Sequence, residues 1–252
     1  MRERGLTIHC ASPEDAIVTA APPDVLQPNE VQVWCTTLDA ARHLLSRYAE
    51  HLDDAEQERL HRFRFEHDRE RFIIGHGLLR ELLGRYLGMA AREVRMERGE
   101  FGKPFLSDSS LHFNLSDTKD ALLVAFQEGS PIGADIETMH RRTDHEAVGR
   151  HFFTPDEVAS IPPGEEGKHR FLELWTRKEA VLKACGVGIM DDLRTLDLGG
   201  SYNPNTIRHP DFMRMAAPEY HVRSFRWGAD HLIAIATEEP VERVLFVDAV
   251  GA

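Results

Sequence analysis

The order of the predicted elements constrains the fold more than any other feature of this sequence. Short strand patterns come in groups, and long patterns with apolar residues three and four apart, typical of helices, separate the groups. Helices are predicted over residues 38–52, 68–87, 144–153 and 170–184. Strands are predicted over residues 31–35, 93–96, 111–115, 121–126, 132–136, 220–225, 231–237 and 244–247, after an irregular lead-in over residues 1–30. Elements grouped in this way predict an α+β fold rather than a doubly wound parallel sheet.

Two short similarities suggest that the chain consists of two related halves. The segment DALLVA at residues 120–125 resembles DHLIAIA at residues 230–236, and an Arg-Phe pair begins a helical stretch in each half. Both matches are short, so duplication and chance similarity stay open. A duplication would place the boundary between residues 1–130 and 131–252.

Charge and composition exclude several classes of protein. The 252 residues carry 30 Lys and Arg against 42 Asp and Glu, a net charge of −12, so we expect no nucleic-acid partner. Apolar runs such as residues 121–126 are far shorter than the ~20 residues that cross a bilayer, and the amino-terminal residues lack an apolar signal core. The three cysteines, Cys10, Cys35 and Cys185, fit neither a disulfide framework nor a zinc site. We therefore expect a cytoplasmic protein without a membrane segment.

The segment PIGADIE at residues 131–137 places two carboxylates together. Asp135 and Glu137 are two residues apart, so on a strand both side chains point to the same face. Adjacent carboxylates repel unless a cation neutralises them, and oxygen ligands suit a hard divalent ion such as Mg²⁺. A solvated acidic strand end is the alternative, and this motif by itself favours that alternative.

A long helical segment, FLELWTRKEAVLKACGVG at residues 171–188, carries a second candidate group. Glu179 and Lys183 are four residues apart and therefore neighbours on one helix face. Spacing alone favours a weak surface ion pair. The functional alternative makes Glu179 a third metal carboxylate, with Lys178 and Lys183 as cations that face a phosphate.

A third candidate segment, residues 100–120, precedes both of these segments in the chain. Gly102 and Pro104 predict a turn that presents Lys103, and Ser116 ends a predicted strand with its hydroxyl free to meet an anion. The alternative is that Lys103 lies in an ordinary turn and that Ser116 merely ends an ordinary strand, with no ligand at either place.

Taken in this order, the three segments resemble the 4′-phosphopantetheinyl transferases, specifically their two-halved, surfactin-type branch. The similar motifs are GKP at residues 102–104, FNLS at 113–116, IGADIE at 132–137, FFTPDE at 152–157, WTRKEAVLKACGVG at 175–188 and the arginine-rich run at 62–80. The resemblance implies two α/β halves of similar fold with the site between them. Coenzyme A contacts would lie in residues 1–130, and the metal site and catalytic helix in residues 131–252.

The resemblance also implies an activity. Such enzymes transfer the 4′-phosphopantetheine arm of coenzyme A to a serine of an apo acyl, peptidyl or aryl carrier protein and release adenosine 3′,5′-bisphosphate. Asp135, Glu137 and Glu179 are the implied ligands of Mg²⁺, or of Mn²⁺ in its place. The two-halved length implies a monomer.

The implied catalytic residues surround the pyrophosphate of coenzyme A. Lys183 and Lys178 would face it and stabilise the leaving group. Glu179 is the first candidate for the base that takes the serine proton and Glu157 the second, and the sequence does not separate these two from a water activated on the metal.

The implied ligands of coenzyme A lie in the first half. Arg59 and Arg71 would hold the 3′-phosphate, because the guanidinium fork suits phosphate oxygens. Lys103, beside Pro104, would reach the adenosine end, and Ser116 would contact a phosphate.

One position departs from the family pattern. Many relatives have histidine after the serine of this motif, where this chain has Asp117. An ionised aspartate cannot donate a hydrogen bond to a phosphate and repels it, so weaker coenzyme A binding is one hypothesis. The alternatives are that Lys119 compensates, or that Asp117 turns away and leaves Ser116 and backbone amides to bind the phosphate. A catalytically weak or silent module that binds coenzyme A or a carrier is therefore the alternative function. An unrelated Mg²⁺-dependent phosphotransferase is disfavoured, since the chain has no Walker or kinase glycine-rich loop.

Overall fold

Two β-sheets lie face to face between two long helices in a computed structural model that describes residues 3–19, 25–188 and 193–251. The helices are α1 (Leu38–Ala41), α2 (Leu45–His51), α3 (Asp54–Leu60), α4 (Glu66–Leu87), α5 (His145–Phe152), α6 (Pro155–Ala159), α7 (Glu165–Cys185) and α8 (Pro210–Met215). The strands are β1 (Arg4–Cys10), β2 (Glu14–Asp15), β3 (Val18–Thr19), β4 (Glu30–Thr37), β5 (Glu97–Arg98), β6 (Pro104–Phe105), β7 (Leu111–Asp117), β8 (Ala121–Glu128), β9 (Ile132–Thr138), β10 (Tyr202–Ile207), β11 (Glu219–Trp227), β12 (His231–Thr237) and β13 (Arg243–Asp248). This mixture confirms the predicted α+β class.

The strands form two main sheets and one small hairpin. The first sheet has the order β3-β13-β4-β8-β7, and the second has the order β10-β1-β11-β12-β9 with β2 beside β11. Neighbouring strands are antiparallel except for β3 and β4 beside β13, and β1 and β2 beside β11, which are parallel. The hairpin pairs β5 with β6.

The same topology occurs twice along the chain. In the first half a strand (β4) precedes helices and the hairpin β7–β8, and the second hairpin strand lies in the middle, in the order β4-β8-β7. In the second half β9 precedes helices and the hairpin β11–β12, with the order β9-β12-β11. The similar segments at residues 120–125 and 230–236 fall on equivalent strands, β8 and β12. This repetition supports the two-halved reading, and a functional boundary at residue 130 stays a prediction.

The terminal strands cross between the halves. Strand β1 lies inside the second sheet, and β13 lies inside the first sheet. The prediction of an irregular lead-in over residues 1–30 was therefore wrong. The strand signal in β1 is short, since only Leu6, Ile8 and Cys10 alternate as buried residues.

Two further predictions are corrected. Residues 93–96 were predicted as a strand, but a 3₁₀ turn occupies Ala91–Glu93 and β5 begins only at Glu97. The helix predicted over residues 38–52 is divided by a second 3₁₀ turn at Arg42–Leu44. Among the described residues, none of the helices is long and apolar enough to cross a membrane.

The core has layers on both faces of each sheet. Apolar residues between the sheets include Val33, Leu123 and Ile136. Helix α4 packs on the outer face of the first sheet, and α7 packs on the outer face of the second. Successive side chains of a strand therefore alternate between the layer that separates the two sheets and the layer beneath a long helix, as the period of two requires.

Helix α7 approaches β9 unusually closely, at Gly133. A Cβ at this position would lie 1.9 Å from the Ala180 carbonyl oxygen and 2.2 Å from the Ala184 nitrogen. No side chain fits in that space, so glycine is the residue that allows this contact. Because Gly133, Asp135 and Glu137 share one strand face, the contact also sets those two carboxylates against the helix.

We expect the substitution Gly133→Ala to destabilise the protein by at least about 2 kcal/mol, because backbone atoms of α7 must move to admit the methyl group. Urea unfolding, monitored by circular dichroism, measures this difference. Gly5→Ala is the matched control, since nothing lies within 4 Å of a Cβ there. Equal free energies of unfolding for the two variants would contradict the packing described above.

Candidate active site

Side chains from β7, β9 and α7 form one polar cluster where the two halves meet. The carboxylates Asp135 and Glu137 on β9 face α7, which presents Glu179 and Lys183 one turn apart. Asp135, Glu137 and Glu179 are buried, at 6%, 8% and 8% exposed. Lys183, whose side chain is 28% exposed, forms its ion pair with Asp135, so the predicted surface pair of Glu179 and Lys183 is replaced by a largely buried cluster. The structure therefore brings together all three carboxylates that the sequence singled out.

A lysine and a serine tie the cluster together. Lys183 Nζ lies 2.6 Å from Asp135 Oδ1 and donates to Ser116 Oγ at 2.8 Å. Ser116 Oγ donates to the same Asp135 oxygen at 2.9 Å. Burial opposes the charge on Lys183, but Asp135 beside it outweighs burial and raises the pKa of the lysine. The Ser116 hydroxyl is thus engaged within the site rather than free as predicted.

Glu137 has partners of its own. Arg141, four residues further along the chain, forms an ion pair with Glu137 Oε1, and Thr118 Oγ1 donates to Glu137 Oε2 at 3.4 Å. The Arg141 guanidinium also lies over the Trp175 ring, 5.6 Å from its centroid. Sequence reasoning missed Arg141. The only sign of Arg141 in the sequence was the position of a cationic residue shortly after the strand that carries Asp135 and Glu137.

Burial and mutual repulsion disfavour the ionised carboxylates. Burial, and then the neighbouring Asp135, raise the pKa of Glu137 and of Glu179 to about 7. Asp135 Oδ2 and Glu179 Oε1 are buried and have no hydrogen-bond partner among the residues that the structure describes. Two open carboxylate oxygens in a buried, acidic cluster are the donors that a hard divalent cation takes.

The donor chemistry fits Mg²⁺, but the carboxylates do not form a closed ligand set. Within residues 3–19, 25–188 and 193–251, no three acidic, histidine or cysteine side chains converge in the geometry of a metal site. Asp135 Oδ1 is bound to Lys183 and Glu137 to Arg141, which leaves Asp135 Oδ2 and Glu179 Oε1 open. A metal ion at Glu137 would compete with Arg141 for Oε1 and with Thr118 for Oε2.

Asp117, at the end of β7, forms an ion pair with Arg71 of helix α4. Asp117 Oδ2 lies 2.9 Å from Arg71 Nε, and Arg71 Nη2 donates to Asp68 Oδ1 at 2.9 Å. Burial raises the pKa of Asp117, while the charges of Arg71, Lys183 and His76 oppose that rise. The guanidinium predicted to hold a phosphate is therefore held here by two carboxylates of the chain itself.

Comparison with known proteins decides the family. A model of the 4′-phosphopantetheinyl transferase superfamily matches residues 131–236, and a model of the 4′-phosphopantetheinyl transferase N-terminal region matches residues 37–128. The 4′-phosphopantetheinyl transferase HetI of Nostoc sp. is 38% identical over 175 residues, which cover 67% of this chain and 74% of the relative. This chain belongs to the 4′-phosphopantetheinyl transferase family.

Relatives from Bacillus extend the similarity. The 4′-phosphopantetheinyl transferase psf-1 of Bacillus pumilus is 29% identical over 183 residues, covering 71% of this chain and 76% of the relative. The 4′-phosphopantetheinyl transferase Sfp of Bacillus subtilis is 27% identical over 146 residues, covering 57% and 64% respectively. These matches confirm the family, the branch and the enzyme class that the sequence motifs indicated.

The transferase has a cleft of about 490 Å³ beside helices α3 and α4. Arg59 and Pro104, two predicted coenzyme A contacts, line this cleft. The Arg59 guanidinium lies over the Phe72 ring, 4.9 Å from its centroid. The roles of Arg59 and Pro104 toward coenzyme A stay predictions.

Lys103 does not point into this cleft. Its Nζ donates to the Ile132 carbonyl at 2.9 Å and to the Ala184 carbonyl at 3.3 Å. Burial lowers the pKa of Lys103 to about 8. In the transferase Lys103 therefore links the β5–β6 hairpin to β9 and to the end of α7, and a contact with the adenosine end stays a prediction.

Lys178 and Glu157 lie away from the carboxylate cluster, which corrects the expectations for both. They form an ion pair at 2.7 Å, and neither side chain is more than 1% exposed. Lys178 Nζ also donates to the carbonyls of Phe152, Leu193 and Leu196. All donors of Lys178 are thus occupied, and it cannot face a pyrophosphate.

Glu157 has a structural role that explains its burial. It forms a capping box with Thr154 at the start of α6, and Glu157 Oε1 accepts from the Leu198 amide at 2.9 Å. A carboxylate whose oxygens are bound to two backbone amides and a lysine is not available as a base for a serine. The sequence already contained a signal, because TPDE has the pattern of a capping box.

We expect Lys178→Met to destabilise the transferase by about 3–5 kcal/mol, because it leaves Glu157 buried without its counter-charge. Activity per folded molecule should stay close to that of the unchanged protein. Chemical unfolding measures the change in stability. The reaction rate divided by the concentration of folded protein measures the activity per molecule. Glu146→Gln, which removes an exposed partner of Arg150, is the control and should cost less than about 1 kcal/mol. A stable but inactive Lys178→Met protein would restore the original expectation.

We also expect the free energy of unfolding, measured in EDTA, to fall as the pH rises from about 5 to about 8. Glu137 and Glu179 hold a proton up to a pKa of about 7 in the folded chain, against an ordinary 4.5 when unfolded. The folded state therefore binds more protons over this range, and raising the pH favours unfolding. Glu179→Gln is the comparison and should show a smaller fall. Identical pH profiles for the two proteins would disprove the assignment for Glu179.

Proposed function

We propose that this chain transfers the 4′-phosphopantetheine arm of coenzyme A to a serine hydroxyl of an apo acyl, peptidyl or aryl carrier protein. The products would be the holo carrier and adenosine 3′,5′-bisphosphate. The observation that carries this proposal is the buried cluster of Asp135, Glu179, Lys183 and Ser116, in a chain that belongs to this family. The complete carboxylate trio favours an active enzyme over the silent binding module.

We infer that Asp135, Glu137 and Glu179 hold a Mg²⁺ ion, for which Mn²⁺ is a substitute. The two open oxygens, Asp135 Oδ2 and Glu179 Oε1, support this inference. When bound, the ion would neutralise negative charge on the pyrophosphate of coenzyme A. Arg141 would then act as a counter-ion that keeps Glu137 in place until the ion replaces it.

In the proposed reaction the serine oxygen attacks the β-phosphorus of coenzyme A. A bond forms between that oxygen and phosphorus, and the bond from phosphorus to the bridging oxygen of the pyrophosphate breaks. The departing adenosine 3′,5′-bisphosphate gains negative charge, which the Lys183 ammonium stabilises. The geometry supports this role, because Lys183 Nζ already lies among oxygens of Asp135 and Ser116.

The serine proton goes to a carboxylate in this proposal, and Glu179 is our assignment. Glu179 lies on α7 with Lys183, and a positioned carboxylate is one of the side chains that act as a general base. A carboxylate has two oxygens, so one oxygen of Glu179 can contact the ion while the other takes the proton. Glu157, the other candidate, is bound to Lys178 and is left out.

We further propose that the protein acts as a monomer in the cytoplasm. Ser116 and Lys183 come from different halves of one chain and contact each other, which supports a site formed within a single copy. The three buried cysteines are free, which agrees with a reducing compartment.

The test is to incubate the protein with coenzyme A, Mg²⁺ and a panel of apo carrier proteins and to measure carrier masses. We expect one phosphopantetheine arm to be added to at least one carrier, with a loss of at least about 100-fold in rate for Glu179→Gln and for Asp135→Asn. Glu146→Gln, which changes an exposed acid, is the matched control and should keep full activity.

Two outcomes would contradict the proposal. Full activity in Glu179→Gln would disprove the site assignment. Binding of coenzyme A without modification of any carrier would favour the silent module, which the Asp117–Arg71 ion pair makes the second candidate.

A further inference from the structure

The ammonium group of Lys103 joins three separate parts of the chain. Lys103 lies in the turn between β5 and β6, and its Nζ donates to the Ile132 carbonyl at 2.9 Å and to the Ala184 carbonyl at 3.3 Å. Ile132 begins β9, and Ala184 lies in the last turn of α7. Carbonyls in the last turn of a helix have no amide partner within the helix and form the negative end of its dipole, so an ammonium is suited to this position.

The two acceptor carbonyls lie beside the close contact between β9 and α7. Ile132 directly precedes Gly133, and Ala184 is the residue whose nitrogen would lie 2.2 Å from a Cβ at Gly133. The ammonium therefore bridges the two backbones at the place where they meet without a side chain between them. Lys103 and these two carbonyls form a clamp between the helix and the strand.

The same strand and the same helix carry the polar cluster. Asp135 is three residues after Ile132 on β9, and Lys183 is the residue before Ala184 on α7. Lys183 Nζ and Asp135 Oδ1 are 2.6 Å apart. A shift of α7 against β9 at the clamp changes that distance, and a misplacement of about 1 Å in an active site can cost about 100-fold in rate.

Lys103 lies outside the cleft of about 490 Å³. Pro104, the next residue, lines that cleft, whereas Lys103 lines a separate groove of about 280 Å³ with Ala184 and Cys185. The contacts of the ammonium are thus made with the backbone of the chain itself. They favour a role in the geometry of the site over a role as a ligand of a substrate in the cleft.

The titratable groups that act on Lys103 come from three other segments. Burial lowers the pKa of Lys103 to about 8, while Cys185 of α7 and Glu238, which follows β12, act in the opposite direction. Burial raises the pKa of the Cys185 thiol to about 11. Burial, and then the charge of Lys103, lower the pKa of His112 on β7. Cys185 and His112 are therefore both neutral over the range in which Lys103 titrates.

We propose that Lys103 is a positioning residue for the transfer reaction, because its ammonium holds α7 against β9 and so sets the distance between Lys183 and Asp135. This inference rests on the proposed function. It assigns Lys103 a different role from the predicted contact with the adenosine end of coenzyme A.

Three roles for Lys103 make different predictions. A ligand of coenzyme A, when replaced, weakens the affinity for coenzyme A. A purely structural residue, when replaced, lowers the stability and leaves the activity per folded molecule unchanged. A positioning residue, when replaced, lowers kcat per folded molecule and leaves the affinity for coenzyme A unchanged.

The experiment compares the unchanged protein with Lys103→Met, which keeps the length of the side chain and removes its charge. Calorimetry gives the affinity for coenzyme A, and transfer to an apo carrier with Mg²⁺ gives kcat. At pH 7 we expect kcat per folded molecule to fall about 10- to 100-fold, the effect of a lost charge-assisted hydrogen bond, and the affinity to stay unchanged. Arg214→Met removes an exposed cation bound to Glu100 in the same turn at 2.8 Å, and this control should keep full activity.

The pH dependence of kcat separates positioning from a structural role. The ammonium is present below a pKa of about 8 and is lost above it, so kcat of the unchanged protein should fall as the pH rises through about 8. Lys103→Met has no ammonium at any pH, so its deficit should shrink to about two-fold or less by about pH 10. Glu238→Gln removes a negative charge that favours the ammonium, and the fall in kcat should then occur at lower pH.

Weaker coenzyme A binding with an unchanged kcat, or a deficit in Lys103→Met that is the same at every pH, would overturn the inference. Hydrogen exchange tests the clamp without the reaction. We expect faster exchange of the amides at the end of α7 in Lys103→Met than in the unchanged protein, and equal exchange would also overturn the inference. Faster exchange together with no transfer to any carrier by the unchanged protein would support the clamp and contradict the proposed function instead.

Discussion

The close contact between helix α7 and strand β9 at Gly133 determines the rest of this site. Because no Cβ separates them, the helix backbone lies directly on the strand. The carboxylates of β9 and Glu179 are then forced into one buried volume, where burial and repulsion disfavour their ionised forms. Lys183, one helical turn after Glu179, places a positive charge beside Asp135 and so offsets part of this repulsion.

A second constraint is the edge of β9, beyond which the described part of the second sheet has no further strand. Side chains of β7 take the place of that strand. Asn114 Oδ1 accepts from the Ala134 amide at 2.7 Å, and Ser116 Oγ accepts from the Ile136 amide at 3.4 Å. Because Ser116 also contacts Asp135 and Lys183, the same residue joins the halves and completes the site. In this cluster the contact between the two halves and the proposed active site therefore share the same residues.

The two lysines of the motif show how far spacing can be interpreted. On a helix with 3.6 residues per turn, Lys183 is about 40° from Glu179 and Lys178 about 100° away on the other side. Lys183 accordingly reaches the carboxylate cluster, whereas Lys178 reaches Glu157 and three backbone carbonyls on the other side. The periodicity contained this distinction. The resemblance of the whole motif did not show this distinction, because a family motif includes residues with structural roles as well as residues of the active site.

The sequence by itself indicated the α+β class and the long helices, because those features depend on local periodicity. The resemblance of its motifs indicated the family and singled out Asp135, Glu137 and Glu179. The sequence did not determine that β1 and β13 exchange between the sheets, since strand pairing depends on distant segments. Only the tertiary structure decided which charged groups are engaged: Lys178 and Glu157 with each other, Lys103 with backbone carbonyls, and Asp117 with Arg71. Those pairings depend on burial and on distances in space between segments that are separate in the chain.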